Sequence, residues 1–290
     1  MTAEKKKYRF LFIQPFQLST GGKFADKYHS DELPKERRMR MNYLNIAPLL
    51  EDVEWDFHGG PIAPYGDWAV ETREEFCHVA AARLPIVREA CESGKYNAIV
   101  LLGGGEPGFM ESREIARQYG IPVTSCAFSQ MHLASMLGNR FSVIDFTETH
   151  NMFYYDLVVR HRMTGRCASI RNINFYHARP GVVDENTIDK ERDKALRGEP
   201  SEAVERAVTE AVAAIEEDGA EVITFGCSDV SWLQSFLQKR LSEIGWEVPV
   251  LEGYSSAIAL AKLFVDLGVD ASGLNFPGAR PKRWRRKKIF

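Results

Sequence analysis

The chain has 290 residues, a net charge of −3, 44% hydrophobic and 27% charged residues. That is the balance of a globular protein with room for one large or two medium domains. No apolar run approaches the ~18 residues that span a bilayer, and the polar Met1–Lys7 with the short Phe10–Ile13 run is no secretory leader, so a cytoplasmic location is expected. The five cysteines (Cys77, Cys91, Cys126, Cys167 and Cys227) are odd in number, irregularly spaced and form no C-x-x-C pair. A disulfide framework and a thiolate metal site are therefore not expected.

In chain order, Tyr8–Ile13 reads as a buried first strand ending at Gln14-Pro15. Gln17 to Glu36 is polar and Gly-rich and reads as a long loop of the kind that forms lids. Val53–Phe57 is a second strand, closed by His58-Gly59-Gly60-Pro61. Thr72–Ser93 has helical periodicity, with Phe76, Val79, Ala80, Leu84 and Val87 on one side. Next comes a strand-turn-helix unit: Ala98–Leu102, Gly103-Gly104-Gly105, and a helix from about Glu106 with Pro107 in its first turn. Strands follow at Ile121–Ser125, Phe141–Phe146 and Ala168–Phe175, and helices through Met136, over Asn151–Thr164 and over Ser201–Asp218. Aromatic residues between 17–70 and 146–176 are expected in the core. The tail from Arg280 to Phe290 holds seven Lys or Arg residues. It reads as a solvated or subunit-contacting terminus, because no basic face supports nucleic-acid or membrane binding.

The strand-turn-helix unit then recurs. Glu221–Phe225 matches Ala98–Leu102 at an offset of 123, and Val248-Pro249-Val250 matches Ile121-Pro122-Val123 at an offset of 127. Such self-similarity reads as an internal duplication. Strands alternating with helices specify α/β with parallel sheets, two halves facing each other across a cleft. In such sheets ligands sit beyond the carboxyl ends of the strands. Gly103–Gly105 and Gly226–Ser228 both lie there.

Gly103-x-Gly105-x-x-Gly108 fits a dinucleotide fingerprint only formally. It does not open the fold's first βαβ unit, and no acidic residue follows at about 20 positions to hold a ribose. No nicotinamide or flavin cofactor is expected. The bare amides of the triple glycine instead suit a carboxylate or enolate oxygen. Cys227 ends a strand, precedes a helical pattern whose N-terminus would lower a thiol pKa, and stands opposite the duplicated turn. Cys126 follows a strand end and is a second candidate for the cleft. His132 lies on a helix and reads as a packed or surface histidine. Glu148 and His150 supply two metal ligands with no third, so no metal is expected.

Several stretches then resemble the aspartate/glutamate/hydantoin racemase superfamily. Gly103-Gly104-Gly105-Glu106-Pro107-Gly108 is similar to the hydantoin-racemase stretch Cys-Phe-Gly-Asp-Pro-Gly. Ile121-Pro122-Val123, Met131-His132, Leu137–Val143, Glu217–Ile223 and Gly226-Cys227 follow in the same order. The resemblance implies two pseudo-symmetric Rossmann-like domains, expected over 1–123 plus 253–290 and over 124–252. It also implies a cofactor-independent site, a small-molecule carboxylate or hydantoin-like substrate, and a homo-oligomer. In that family two cysteines act from opposite faces of a carbon acid. Cys227 carries over as the second. Glycine, at Gly103 or Gly104, stands where the first would be, a pattern similar to the single-cysteine arylmalonate decarboxylases.

The resemblance thus leaves a racemase or isomerase, a decarboxylase or lyase, and a non-catalytic carboxylate-binding protein as readings. Cys227 is the expected proton donor. Gly104 and Gly105 amides, Ser125, Thr147 and Ser228 are expected to hold substrate oxygens, with Asp145 comparably placed and Gln14 reaching in from the first loop. If a second thiol-like group is needed, Cys126 and Glu106 are the candidates.

Overall fold

The computed structural model describes residues 7–19, 21–24, 33–39, 45–182, 187–278 and Arg283. Parts of the expected 17–36 loop and nearly all of the basic tail lie outside the described residues.

Two parallel sheets form the frame. The first has the order β2-β1-β3-β4, from β1 (Tyr8–Ile13), β2 (Val53–His58), β3 (Ala98–Leu101) and β4 (Val123–Ser125). The second has the order β6-β5-β7, from β5 (Phe141–Asp145), β6 (Cys167–Asn172) and β7 (Val222–Phe225). Every pairing is parallel. A bridge from Ile223 to Val250 extends the second sheet beyond β7. The duplication is therefore physical: β3 corresponds to β7, and Val123 in β4 to Val250. The centre strands β3, β5 and β7 are buried at every residue, as strands covered on both faces must be. Edge strand β2 instead alternates Val53 and Trp55 inward with Glu54 and Asp56 outward.

Helices cover both sheets: α1 (Arg73–Glu92), α2 (Phe109–Arg117), α3 (Cys126–Leu137), α4 (Asn151–Arg160), α5 (Ile188–Leu196), α6 (Glu202–Glu216), α7 (Leu233–Glu243) and α8 (Gly253–Leu267). The α1 start is a capping box, with Thr72 accepting from the Glu75 amide and Glu75 reaching back to the Thr72 amide. Helix α8 packs against β3 and β4, and its Tyr254, Ala257, Ile258 and Ala261 join the core cluster that holds the aromatic side chains of β1. The late segment so returns to the first lobe, while the expected boundary at 123/124 falls inside β4. Helices α3 and α8 meet at their starts, where a side chain on Gly253 would fall 2.5 Å from Cys126 Cβ.

Two helix starts differ from expectation. Helix α2 begins at Phe109, because Glu106 and Gly108 take left-handed φ of 54° and 74°, so Pro107 lies in the turn. After Cys227 there is only a one-turn 3-10 segment, Ser228–Val230, before α7.

The buried face of α1 carries an arginine that periodicity alone does not flag. Arg83 is fully buried. Its guanidinium donates to the carbonyls of Leu102 (2.7 Å), Pro107 (3.2 Å) and Ile13. It therefore ties together the carboxyl ends of β1 and β3. Burial pulls its pKa down to about 9, which still leaves it charged at neutral pH. Removing it strands buried carbonyls, each costing about 1–3 kcal/mol. An Arg83→Leu variant is expected to lose about 2–5 kcal/mol of stability in denaturant unfolding; an unchanged midpoint would show that water replaces the guanidinium.

Candidate active site

A cleft enclosing about 880 Å³, part of it open to solvent, runs between the carboxyl ends of the two sheets. The turns after β1, β3 and β7 all reach it, bringing in Gln14, Gly103, Gly104, Gly105, Cys227 and Ser228. These six candidates from the sequence come together.

The turns after β3 and β7 touch backbone to backbone. A side chain on Gly104 would fall 2.0 Å from the Gly226 carbonyl oxygen and 2.8 Å from Cys227 Cα. One on Gly226 would fall 2.1 Å from Asp145 Oδ2. Gly103 has φ of +99°, and a side chain there would meet Pro15 at 2.9 Å. Glycine at these positions is a steric requirement, and a thiol at Gly103 or Gly104 would displace the turn that carries it.

Cys227 is half-buried, caps the 3-10 turn, and donates its amide to Asp145 Oδ1 at 3.2 Å. The same oxygen accepts from the Phe146 amide at 2.7 Å. Asp145 is thus a buried support behind the cysteine turn, outside the cleft lining.

Three other candidates lie away from the lining. Ser125 is buried, and its hydroxyl donates to Glu106 Oε1. Glu106 also accepts from the Phe128 amide, and its Oε2 lies 2.7 Å from His161 Nε2. This buried cluster fixes Glu106 in its left-handed conformation, and both Ser125 and Glu106 are buried outside the cleft lining. Cys126 is sealed between α3 and the start of α8, with its thiol 3.9 Å from the Leu101 carbonyl. Burial pushes that thiol well above its ordinary pKa, and the nearby Glu252 and Glu106 add to the shift. Thr147 is buried, with its hydroxyl 3.2 Å from that of Thr149.

The lining also contains His150, weighed in the sequence only as a metal ligand, and groups the sequence reading did not name. His150 follows β5, and its Nδ1 lies 3.7 Å from Asp145 Oδ2. His177 follows β6, with Nε2 3.4 Å from Asp229 Oδ2. Arg38 is the one Lys or Arg among the described lining residues, stacked 4.9 Å from the Phe57 ring centre. Tyr154 donates to the Gly104 carbonyl at 2.9 Å, and burial raises its phenol pKa strongly, with Asp145 and Cys227 adding to it. Phe57 and Phe153 line the cleft, contrary to the expectation that these aromatic stretches fill the core, whereas Phe146 and Phe175 do pack in the second lobe. His132 is partly buried, with its ring centre 4.3 Å from that of Phe128. The two histidines share one signal that points to the cleft: each follows a strand of the second sheet, at the carboxyl edge where ligands bind.

An ionic clasp joins the lobes at the rim. Arg179, beyond β6, pairs with Glu71 at 2.6 Å and with Glu75 at 3.0 Å. Burial pushes the Glu75 carboxyl up, but hydrogen bonds from Trp68 and the Thr72 and Glu71 amides, together with Arg179, leave it below its ordinary value.

Residues 71–261 match the Asp/Glu/hydantoin racemase family. The chain belongs to that family. It is 31% identical over 194 residues to a hydantoin racemase of Pseudomonas sp. (strain NS671), covering 66% of this chain and 68% of that one. Its fold is that of an allantoin racemase from Klebsiella pneumoniae, with a TM-score of 0.68, 20% identity and 97% coverage of both chains. It is also similar to a liganded double mutant of arylmalonate decarboxylase, with one glycine changed to cysteine and one cysteine to serine. There the TM-score is 0.56, identity is 13%, and coverage is 89% of this chain and 92% of that one. Racemase-family membership agrees with the two-lobed parallel α/β fold. Among the described residues no helix is long and apolar enough to cross a membrane.

The geometry separates the thiols. Brief alkylation of the native protein at neutral pH is expected to label Cys227 and the exposed Cys77 while sparing Cys91 and Cys126, whose pKa values burial raises. Peptide mass mapping reads this directly; label on Cys126 before Cys227 would contradict the assignment of the cleft thiol.

Proposed function

We propose that this chain is a cofactor-independent isomerase of the racemase family. It acts on a carbon acid, a small molecule whose C–H lies next to a carbonyl or carboxylate, and Cys227 transfers the proton. The supporting observation is the position of Cys227 in the interlobe cleft, at a strand end, against the Gly103–Gly105 turn. Loss of the α-proton leaves a planar enolate with charge on oxygen, so the cleft must offer both a proton carrier and donors for that oxygen. Ser228, Gln14 and the glycine turn's backbone are the candidates for the second task. The hydantoin racemase relative favours a hydantoin-like or other cyclic ureide substrate. The apolar walls at Phe57 and Phe153 suit a carbon bearing an apolar substituent.

A second reading rests on one observation: glycine is required where the family's first thiol would stand. An enzyme with a single thiol can protonate a carbanion made by loss of carbon dioxide, as a decarboxylase or lyase, with no base on the other face.

Incubation in deuterated water with single enantiomers of 5-substituted hydantoins, amino acids and arylmalonates separates the two. The isomerase reading predicts α-deuterium incorporation with loss of optical activity. The lyase reading predicts carbon dioxide release from the malonate and one deuterium in the product. Under either, Cys227→Ala loses about 10²–10⁴-fold in rate. Ligand-induced stabilisation with neither reaction would instead identify a binding protein. Gly104→Ala is expected to lower both stability and turnover, because its Cβ meets backbone at 2.0 Å; wild-type thermal unfolding and activity in that variant would refute the close contact.

A further inference from the structure

The reading above names one proton-transfer group in the cleft. Resting on it, we infer that His150, held by Asp145, is a second. His150 lies at the carboxyl end of β5, next to α4, and is nearly fully buried. Its ring is set edge-on against Phe146, with centroids 5.0 Å apart, and against Phe153 at 6.2 Å. His150 Nε2 and Asp145 Oδ2 are both buried and have no hydrogen-bond partner. Orphaned buried polar atoms cost stability and are rare. Here one belongs to His150, a lining residue of the cleft, and the other to Asp145 directly behind it.

The arrangement has a chemical sense. Asp145 Oδ2 stands 3.7 Å from His150 Nδ1, which favours the tautomer with hydrogen on Nδ1 and leaves the Nε2 lone pair without a partner; Nε2 is itself closed to solvent, so the proposal requires the ring to turn towards the cleft when substrate binds. The gap exceeds hydrogen-bond length, and such pairs tighten when substrate binds or the ring charges. The other oxygen of Asp145 accepts the Cys227 amide at 3.2 Å, so one carboxylate supports both groups. Alternatives in the cleft are occupied. His177 faces Asp229, and the Tyr154 hydroxyl is committed to Gly104.

In the proposed step Nε2 takes the α-proton. The C–H electron pair becomes the enolate π bond, and negative charge moves to the substrate oxygen. The Cys227 S–H bond then breaks and its proton goes to carbon. The products are an imidazolium beside Asp145 and a thiolate; proton return from imidazolium to thiolate restores the site. The titratable and charged groups around His150 are Asp145, Tyr154 on its own helix, Cys227 and Asp229 in the β7 turn, His177 beyond Phe146, and Glu71 with Arg179 at the rim.

The test uses the full chain with a single enantiomer of 5-benzylhydantoin in deuterated water, and ¹⁵N imidazole spectra without substrate. His150→Gln is expected to slow α-exchange about 100-fold or more. Asp145→Asn is expected to move the His150 tautomer from Nδ1–H towards Nε2–H. Retained exchange in His150→Gln, or an Nε2–H tautomer in the wild type, overturns the inference. Full turnover in Cys227→Ala with loss in His150→Gln would remove the cysteine reading and keep the histidine. If the hydantoin is not turned over, the wild-type tautomer decides: Nδ1–H supports the dyad and Nε2–H refutes it.

Discussion

The site depends on a contact between two backbones. Gly104 lies against the Gly226 carbonyl and Cys227 Cα, with no room for a side chain between them. That contact brings the strand ends of two separate sheets to one place. Any Cβ at Gly104 would push the lobes apart by the width of a methyl group, and proton transfer is sensitive to displacements of that size. Lobe spacing is therefore set by the absence of atoms at one residue.

Such a contact lasts only if both turns are held from behind, and buried charged groups do this. In the first lobe the Arg83 guanidinium gathers the carbonyls of Ile13, Leu102 and Pro107. Beside it, Glu106 anchors the left-handed turn to Ser125, Phe128 and His161. In the second lobe Asp145 accepts the amides of Phe146 and Cys227. Gln130 adds a link from α3, its side-chain amide bonding both the N–H and the carbonyl of Phe225. Buried polar groups are expensive unless satisfied, and satisfied ones rigidify their surroundings. The fold places them under the two turns that must not move.

Much of this was legible in the sequence. The buried runs Ala98–Leu101 and Val222–Phe225 identified centre strands, and their offset exposed the duplication that the strand orders repeat. Cys227, Gln14 and the glycine turn were legible because ligand-facing loops follow strand ends. Ser125 and Cys126 also follow a strand end but face elsewhere. Helix α8 returns to cover Cys126, and Glu106 claims the Ser125 hydroxyl. Those are contacts between residues distant in sequence, which local patterning cannot report. Arg83 was hidden for the same reason, since its partners are backbone carbonyls at the ends of β1 and β3 and in the turn beyond. The family resemblance supplied the expectation of one thiol, Cys227, with glycine at Gly103 or Gly104 in place of the other, and a side chain at those glycines would meet Pro15 or the Gly226 carbonyl.

The central claim is that hydrogen carried by Cys227 ends on the substrate carbon. An isotope-trapping experiment tests this most directly. Enzyme equilibrated in deuterated water is mixed rapidly with substrate in excess ordinary water, and product from the first turnover is analysed. The account predicts deuterium at the α-carbon in the first turnover, absent with Cys227→Ala. First-turnover product carrying only bulk-solvent hydrogen, or the same deuterium transfer in Cys227→Ala, would contradict it.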